Sequence, residues 1–121
     1  MMGETRAVNA SRRITVEFLK LLDQQFPIQN QRAIGLRYAS QFACKLNIHV
    51  NHLNRALKAT LNKTTTQVIS ERILREAEIL LHTSNLSVAE IAYVLGFTES
   101  THFNNFFRKH TQITPTKFRS G

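Results

Sequence analysis

His49 and His52 stand three residues apart, a spacing at which two imidazoles on one helix can share a metal ion. Neither has an acidic residue near it in the sequence or a cysteine partner, and without a third ligand candidate no metal site is expected. The lone cysteine, Cys44, has no partner for a disulfide or a cysteine-cluster zinc site. Beside Ala43 on a predicted helix, it is expected in the core rather than as a nucleophile. No phosphate-cradling glycine loop, nucleophile elbow or paired-carboxylate pattern occurs. The sequence therefore points away from an enzyme, and no catalytic residue, metal or cofactor is assigned.

The cations are the groups left with chemistry to offer. The 121 residues carry a net charge of +8. Residues 30–63 contain Arg32, Arg37, Lys45, Arg55, Lys58 and Lys63 and no acid. Residues 100–121 contain Arg108, Lys109, Lys117 and Arg119, again with no acid. Between them, residues 64–99 set Arg72 and Arg75 against Glu71, Glu76, Glu78, Glu90 and Glu99. A polyanion is drawn to the two basic blocks and not to the acidic middle. On charge alone, a solvated basic surface explains the pattern equally well.

The elements that position these cations are helical. Only four glycines and two prolines occur, too few for the regular turns of a sandwich or barrel, while 42% hydrophobic residues suffice for a modest core. No apolar run spans a membrane, and the start MMGETRAVNAS lacks the apolar stretch of a secretory signal. These features predict an all-α cytoplasmic domain. Residues 1–10 are expected to fray. A helix follows from Ser11, with Ile14, Phe18, Leu21, Leu22 and Gln25 at helical spacing, and Pro27 ends it. A second helix is expected from residue 32 or 36 to 46, with Tyr38, Ala39, Phe42, Ala43 and Leu46 inward. A third covers 50–61 around Leu53, Ala56 and Leu57. A long helix covers 67–82, its apolar face being Val68, Ile69, Ile73, Ala77, Leu80 and Leu81. Ser87 and Glu90 form a capping-box pattern for a fifth helix that ends at Gly96. A sixth covers 100–110, and Pro115 and Phe118 close the domain.

Within this series the chain repeats itself. Ala43, Leu46 and Ile48 match Ala92, Leu95 and Phe97 at a lag of 49, and Leu53, Asn54 and Lys58 match Phe103, Asn104 and Arg108 at a lag of 50. Thr64 matches Thr114 at the same lag. The one-residue change falls in a turn, where an insertion is cheap. Each copy is a helix, a tight turn with an apolar plug, and a basic second helix, the layout of a helix-turn-helix unit. A generic helical hairpin shares some of these features, but two copies favour DNA binding. A helical protein-interaction module and a sequence-blind basic nucleic-acid binder are the alternatives. Stacking on single strands would need exposed aromatics, whereas Phe103, Phe106 and Phe107 fall at core spacing.

The second copy carries a more specific pattern. Ser87-Val-Ala-Glu-Ile-Ala-Tyr-Val-Leu-Gly-Phe-Thr-Glu-Ser-Thr-His-Phe-Asn-Asn-Phe-Phe-Arg-Lys, followed by Thr114-Pro-Thr-Lys-Phe-Arg, closely resembles the signature of AraC/XylS-type transcription regulators. Arg72-Ile-Leu-Arg-Glu-Ala77 resembles that family's linker helix, and the resemblance covers about residues 36–119. It implies about seven helices, arranged as two helix-turn-helix (homeodomain-like) subdomains, about 11–64 and 86–119, joined by a linker helix of about 66–82. Such a linker is roughly 24 Å long. With the width of the subdomains added, two recognition helices reach successive major-groove segments roughly 34 Å apart. An acidic linker turned away from the phosphates, with Glu71, Glu76 and Glu78 on it, fits that arrangement.

By motif position the resemblance implies base-reading roles for Asn51, Asn54 and Arg55 in the first copy. In the second it implies them for Ser100, Thr101, Asn104 and Asn105. Arginine can be bidentate to guanine, asparagine bidentate to adenine, and hydroxyls serve either. Lys58, Lys63, Arg108, Lys109 and Arg37 are assigned to phosphates, and His52 and His102 flank the two faces. The sequence departs from the family pattern at Asn47, Asn62 and Gln112, where glycine is common, and at His49, where a capping serine is usual. Losing that cap would cost about 1 kcal/mol unless another forms. The expected partners are double-stranded DNA and, for an AraC-like activator, RNA polymerase. The effector or dimerisation domain that most relatives carry is expected to be missing from this chain, which is either a fragment of a longer regulator or a stand-alone member and begins like a domain cut at a linker.

Overall fold

The computed structural model describes the backbone of residues 2–121 and the side chains of residues 9–121. Its seven helices are α1 (Met2–Asp23), α2 (Ala39–Lys45), α3 (Val50–Leu61), α4 (Thr65–Thr83), α5 (Val88–Val94), α6 (Ser100–Thr111) and α7 (Pro115–Ser120). No strand occurs among the described residues. The chain divides into two compact units. The first is Met1–Gln25 with Leu36–Ser70, and the second is Phe26–Gly35 with Glu71–Gly121.

In the first unit, Phe18 and Leu22 of α1 are buried with Phe42, Ala43, Leu53, Ala56 and Leu57 of α2 and α3. Phe18 and Phe42 meet edge to face, 5.0 Å between centroids, the arrangement ring quadrupoles favour. Each of these large side chains contributes roughly 1.5–3 kcal/mol by leaving water. Polar groups in the interface are satisfied: the Thr15 and Thr60 hydroxyls share a 2.7 Å hydrogen bond. Gln25 grips the chain before α2 from both sides. Its Nε2 donates to the Leu36 carbonyl at 2.8 Å, and its Oε1 accepts from the Leu36 N–H at 2.7 Å.

In the second unit, Ile73, Ala77, Leu80 and Leu81 of α4 are buried with Ile91, Val94, Leu95, Phe103 and Phe107. Aromatic contacts run from Phe97 to Phe103 (5.4 Å), on to Phe107 (6.0 Å) and to Phe118 (5.3 Å), and end on His82 (4.6 Å). Arg119 donates from Nε to the Leu81 carbonyl at 3.0 Å, satisfying an open carbonyl at the end of α4. The segment Phe26–Gly35 belongs here although the sequence reading puts it in the first half. Two backbone donors fix it: the Ile34 N–H to the Val94 carbonyl, and the Ile28 N–H to Glu76 Oε2, each 2.9 Å.

The two copies share their corners. Asn47 (φ 59°) and Gly96 (φ 86°) end α2 and α5 in the left-handed region. The following N–H groups reach back, from Ile48 to the Ala43 carbonyl (3.0 Å) and from Phe97 to the Ala92 carbonyl (2.9 Å). That is the Schellman pattern, in which the last carbonyls of a helix are satisfied as the chain leaves at a fixed angle. The starts match as well. Ser87 Oγ accepts from the Glu90 N–H while Glu90 Oε1 accepts from the Ser87 N–H, as the capping-box pattern predicts. In the first copy Gln41 Oε1 accepts the Tyr38 N–H at 2.8 Å. The departures from glycine are accommodated: Asn62 (φ 55°) and Gln112 (φ 72°) both take up left-handed backbone after α3 and α6. For glutamine that conformation costs roughly 1–2 kcal/mol.

Several expectations need correction. Helix α1 begins at Met2, so residues 2–10 are helical and not frayed. No proline occurs there to break it, and Ala7 and Ala10 favour the helix. Helix α2 starts only at Ala39, because Tyr38 is extended (φ −117°, ψ 151°) and acts as its N-cap. Tyr38 is accordingly 57% exposed and not inward. Cys44 is exposed and not part of the core, since Phe42 and Ala43 take the inward positions of this short helix. Glu76 is 1% exposed, so it adds nothing to an acidic surface on the linker helix. Its Oε1 lies 3.4 Å from Arg72, whose guanidinium also covers the Phe26 ring at 4.1 Å.

Replacing Glu76 by alanine removes the acceptor of the half-buried Ile28 N–H and should destabilise the protein by about 1–3 kcal/mol in urea titration. Glu76→Gln, which retains an acceptor oxygen, should cost less; a loss below about 0.5 kcal/mol for Glu76→Ala would remove the anchoring role. The Ser87 N–H and hydroxyl hold the Glu90 carboxyl below its ordinary range. A lowered folded pKa means that stability is present above the ordinary glutamate pKa and is lost as pH falls through the folded value. The gap in urea midpoint between the protein and Glu90→Ala should therefore close in acid, and a gap independent of pH would contradict this.

Candidate nucleic-acid interface

Helix α3 separates its residues by type. Leu53, Ala56 and Leu57 are buried, while Asn51, Asn54, Arg55 and Lys58 are all exposed. Positions 51, 54, 55 and 58 follow the three- and four-residue steps that share a helix face. The helix can start where it does because His49 replaces the expected serine as cap: its Nδ1 accepts the Asn51 N–H at 3.1 Å. Among the described residues no group of three or more His, Cys, Asp or Glu is placed to hold a metal ion.

Asn54, Arg55 and Lys58 line a cleft of about 360 Å³ together with Thr64 and Thr66 from the start of α4. Lys63 is exposed in the turn between α3 and α4. Thr64 orders this edge, its Oγ1 accepting from the Gln67 N–H at 3.0 Å and its N–H donating to Gln67 Oε1 at 2.8 Å. Arg37 differs from the exposed cations. Its side chain is half-buried, burial pushes its guanidinium pKa down, and it sits 5.3 Å from the Tyr38 ring centroid.

Helix α6 is arranged in the same way. Phe103 and Phe107 are buried, Thr101, Asn105, Arg108 and Lys109 are exposed, and Ser100 and Asn104 are half-buried. Phe106 is half-buried, 5.3 Å from Phe97. His102 is exposed, with Nε2 3.7 Å from Glu99 Oε2 and Nδ1 3.4 Å from Thr98 Oγ1.

Two residues near these faces escape the sequence reading. Glu99 is the N-cap of α6 and places a carboxylate at the start of that face. Only the lag of 50 from His49 marks it in the sequence. Thr65, fully buried at the first turn of α4, donates from Oγ1 to Asn54 Oδ1 at 2.6 Å. In the sequence it is the middle of a run of threonines that serves equally well as helix caps.

The chain matches the helix-turn-helix domain family over residues 42–121. It is 32% identical over 103 residues to the probable transcription factor PqrA of Proteus vulgaris, covering 85% of this chain and 80% of that protein. It is 31% identical over 99 residues to the HTH-type transcriptional activator RhaR of Mannheimia succiniciproducens, covering 82% of this chain and 36% of that one. The chain spans about a third of RhaR and less than two thirds of the xylose operon and Msm operon regulatory proteins that it also matches. The fold is shared with the DNA-binding domain of AdpA, with a TM-score of 0.69, 17% identity and coverage of 86% of this chain and 90% of that domain. With its helix-turn-helix corner built twice, this chain belongs to the AraC/XylS-type family of transcription regulators.

Proposed function

We propose that this chain binds double-stranded DNA sequence-specifically and regulates transcription, with α3 and α6 as its two recognition helices. The observation that carries this reading is the repetition itself. Each unit holds a helix, a left-handed corner closed by the same backbone hydrogen bond, and a second helix with a buried apolar face and an outward polar, cationic one. A generic hairpin has no reason to preserve the outward face twice. The AdpA domain of the same fold was solved in complex with a target DNA.

In this reading Asn51, Asn54 and Arg55 meet base edges from α3, and Ser100, Thr101, Asn104 and Asn105 meet them from α6. Exposed Lys58, Lys63, Arg108 and Lys109 contact phosphates, which fixes register and makes affinity salt-dependent. Arg37 contributes from the edge of the first unit, less freely because of its burial. The chain works by binding and not by catalysis. The regulator acts in the bacterial cytoplasm, with RNA polymerase as a further partner.

Selection from a random duplex library should yield a defined site. On that site Arg55→Ala and Asn104→Ala should each lose about 1–3 kcal/mol of binding and relax the choice at one base pair, with little change on random duplex. Lys58→Ala should weaken every duplex alike and lower the salt slope by about one. A library that returns no preferred sequence would make the chain a sequence-blind binder and overturn the proposal.

A further inference from the structure

The two copies place an asparagine at the same point of their second helices, Asn54 and Asn104, yet the surroundings differ. Asn54 Oδ1 accepts a hydrogen bond from the buried Thr65 hydroxyl at 2.6 Å. That separation is ordinary for an O–H donor on oxygen and short for an N–H donor, so it places the amide oxygen, and not the nitrogen, against Thr65. The Nδ2 group is thereby turned to the other side of the carboxamide. Fifty residues on, the position equivalent to Thr65 is Pro115, which has no hydroxyl to give. No such bond holds Asn104 among the described residues.

An asparagine reads adenine with both ends of its amide, the oxygen accepting from N6 and the nitrogen donating to N7. With one lone pair of its oxygen taken by Thr65 and the amide held in that orientation, Asn54 presents its two N–H donors on the side away from Thr65. Guanine presents two adjacent acceptors, N7 and O6, on the major-groove edge, whereas adenine sets a donor beside its N7. We infer that Thr65 is a positioning residue that orients Asn54 to read with its N–H donors, selecting guanine over adenine, while Asn104 keeps the two-ended amide that suits adenine. This deepens the reading of α3 as a recognition helix and rests on it.

The test is competition binding on the selected site with the 121-residue chain. Asn54→Ala first identifies the base pair at which preference is lost. At that pair the unaltered protein should favour guanine over adenine by about ten-fold. Thr65→Val removes the hydroxyl at nearly constant shape and should reduce that ratio to about two-fold or reverse it. Thr65→Ser should restore it. A merely structural role of Thr65 would weaken all duplexes and leave the ratio alone, and that result would overturn the inference. So would adenine preference in the unaltered protein, a measurement independent of whether any variant folds. If Asn54→Ala relaxes no position, the base-reading role of Asn54 is what fails; relaxation there with an unchanged ratio in Thr65→Val sinks only the positioning role.

Discussion

The corner between the two helices of each copy is the constraint on which the rest depends. At Asn47 and at Gly96 the chain turns through left-handed backbone, and the next N–H closes on the carbonyl of Ala43 or Ala92. The small side chains at those carbonyl positions are almost fully buried. With the corner set, Leu53 and Phe103 fall inward, Asn54, Arg55 and Asn105 are exposed, and Asn104 is half-buried. Within a unit, the polar face of the second helix is thus a consequence of how the preceding helix ends.

The copies keep this geometry while changing the residues that deliver it. Helix α3 is capped by an imidazole, whereas Glu99 at the start of α6 makes no side-chain cap bond. Asparagine and glutamine stand in for glycine after α3 and α6. The second copy spends an extra residue between Phe97 and its N-cap. These differences surround two helices of equal length, twelve residues each. The Thr65–Asn54 bond is another such difference.

Much of this architecture is legible in the sequence. The limits of α3, the capping box at Ser87 and Glu90 and the left-handed corners follow from local chemistry, because cap and turn residues act over a few positions. The outward polar residues of α3 and α6 follow from the helical period. The failures are those of short or non-local order. Helix α2 has only seven residues, too few for periodicity to separate Tyr38 and Cys44 from the buried pair Phe42 and Ala43. Glu76 looks like a surface acid until the distant Ile28 N–H arrives to be accepted. Segment 26–35 carries no periodic signal, and its grouping with the second unit depends on hydrogen bonds spanning tens of residues. At the candidate interface, residue types were readable but amide orientation was not, since it is set by a hydroxyl eleven positions away.

The central claim is that one chain presents two separate reading helices to one duplex. Guanine-methylation interference on the selected site tests it most directly, because N7 methylation blocks the major-groove edge where each helix must lie. The account predicts two distinct patches of interference, one abolished by substituting the outward residues of α3 and the other by substituting those of α6. A single patch, or two that both vanish with changes in one helix, would contradict it.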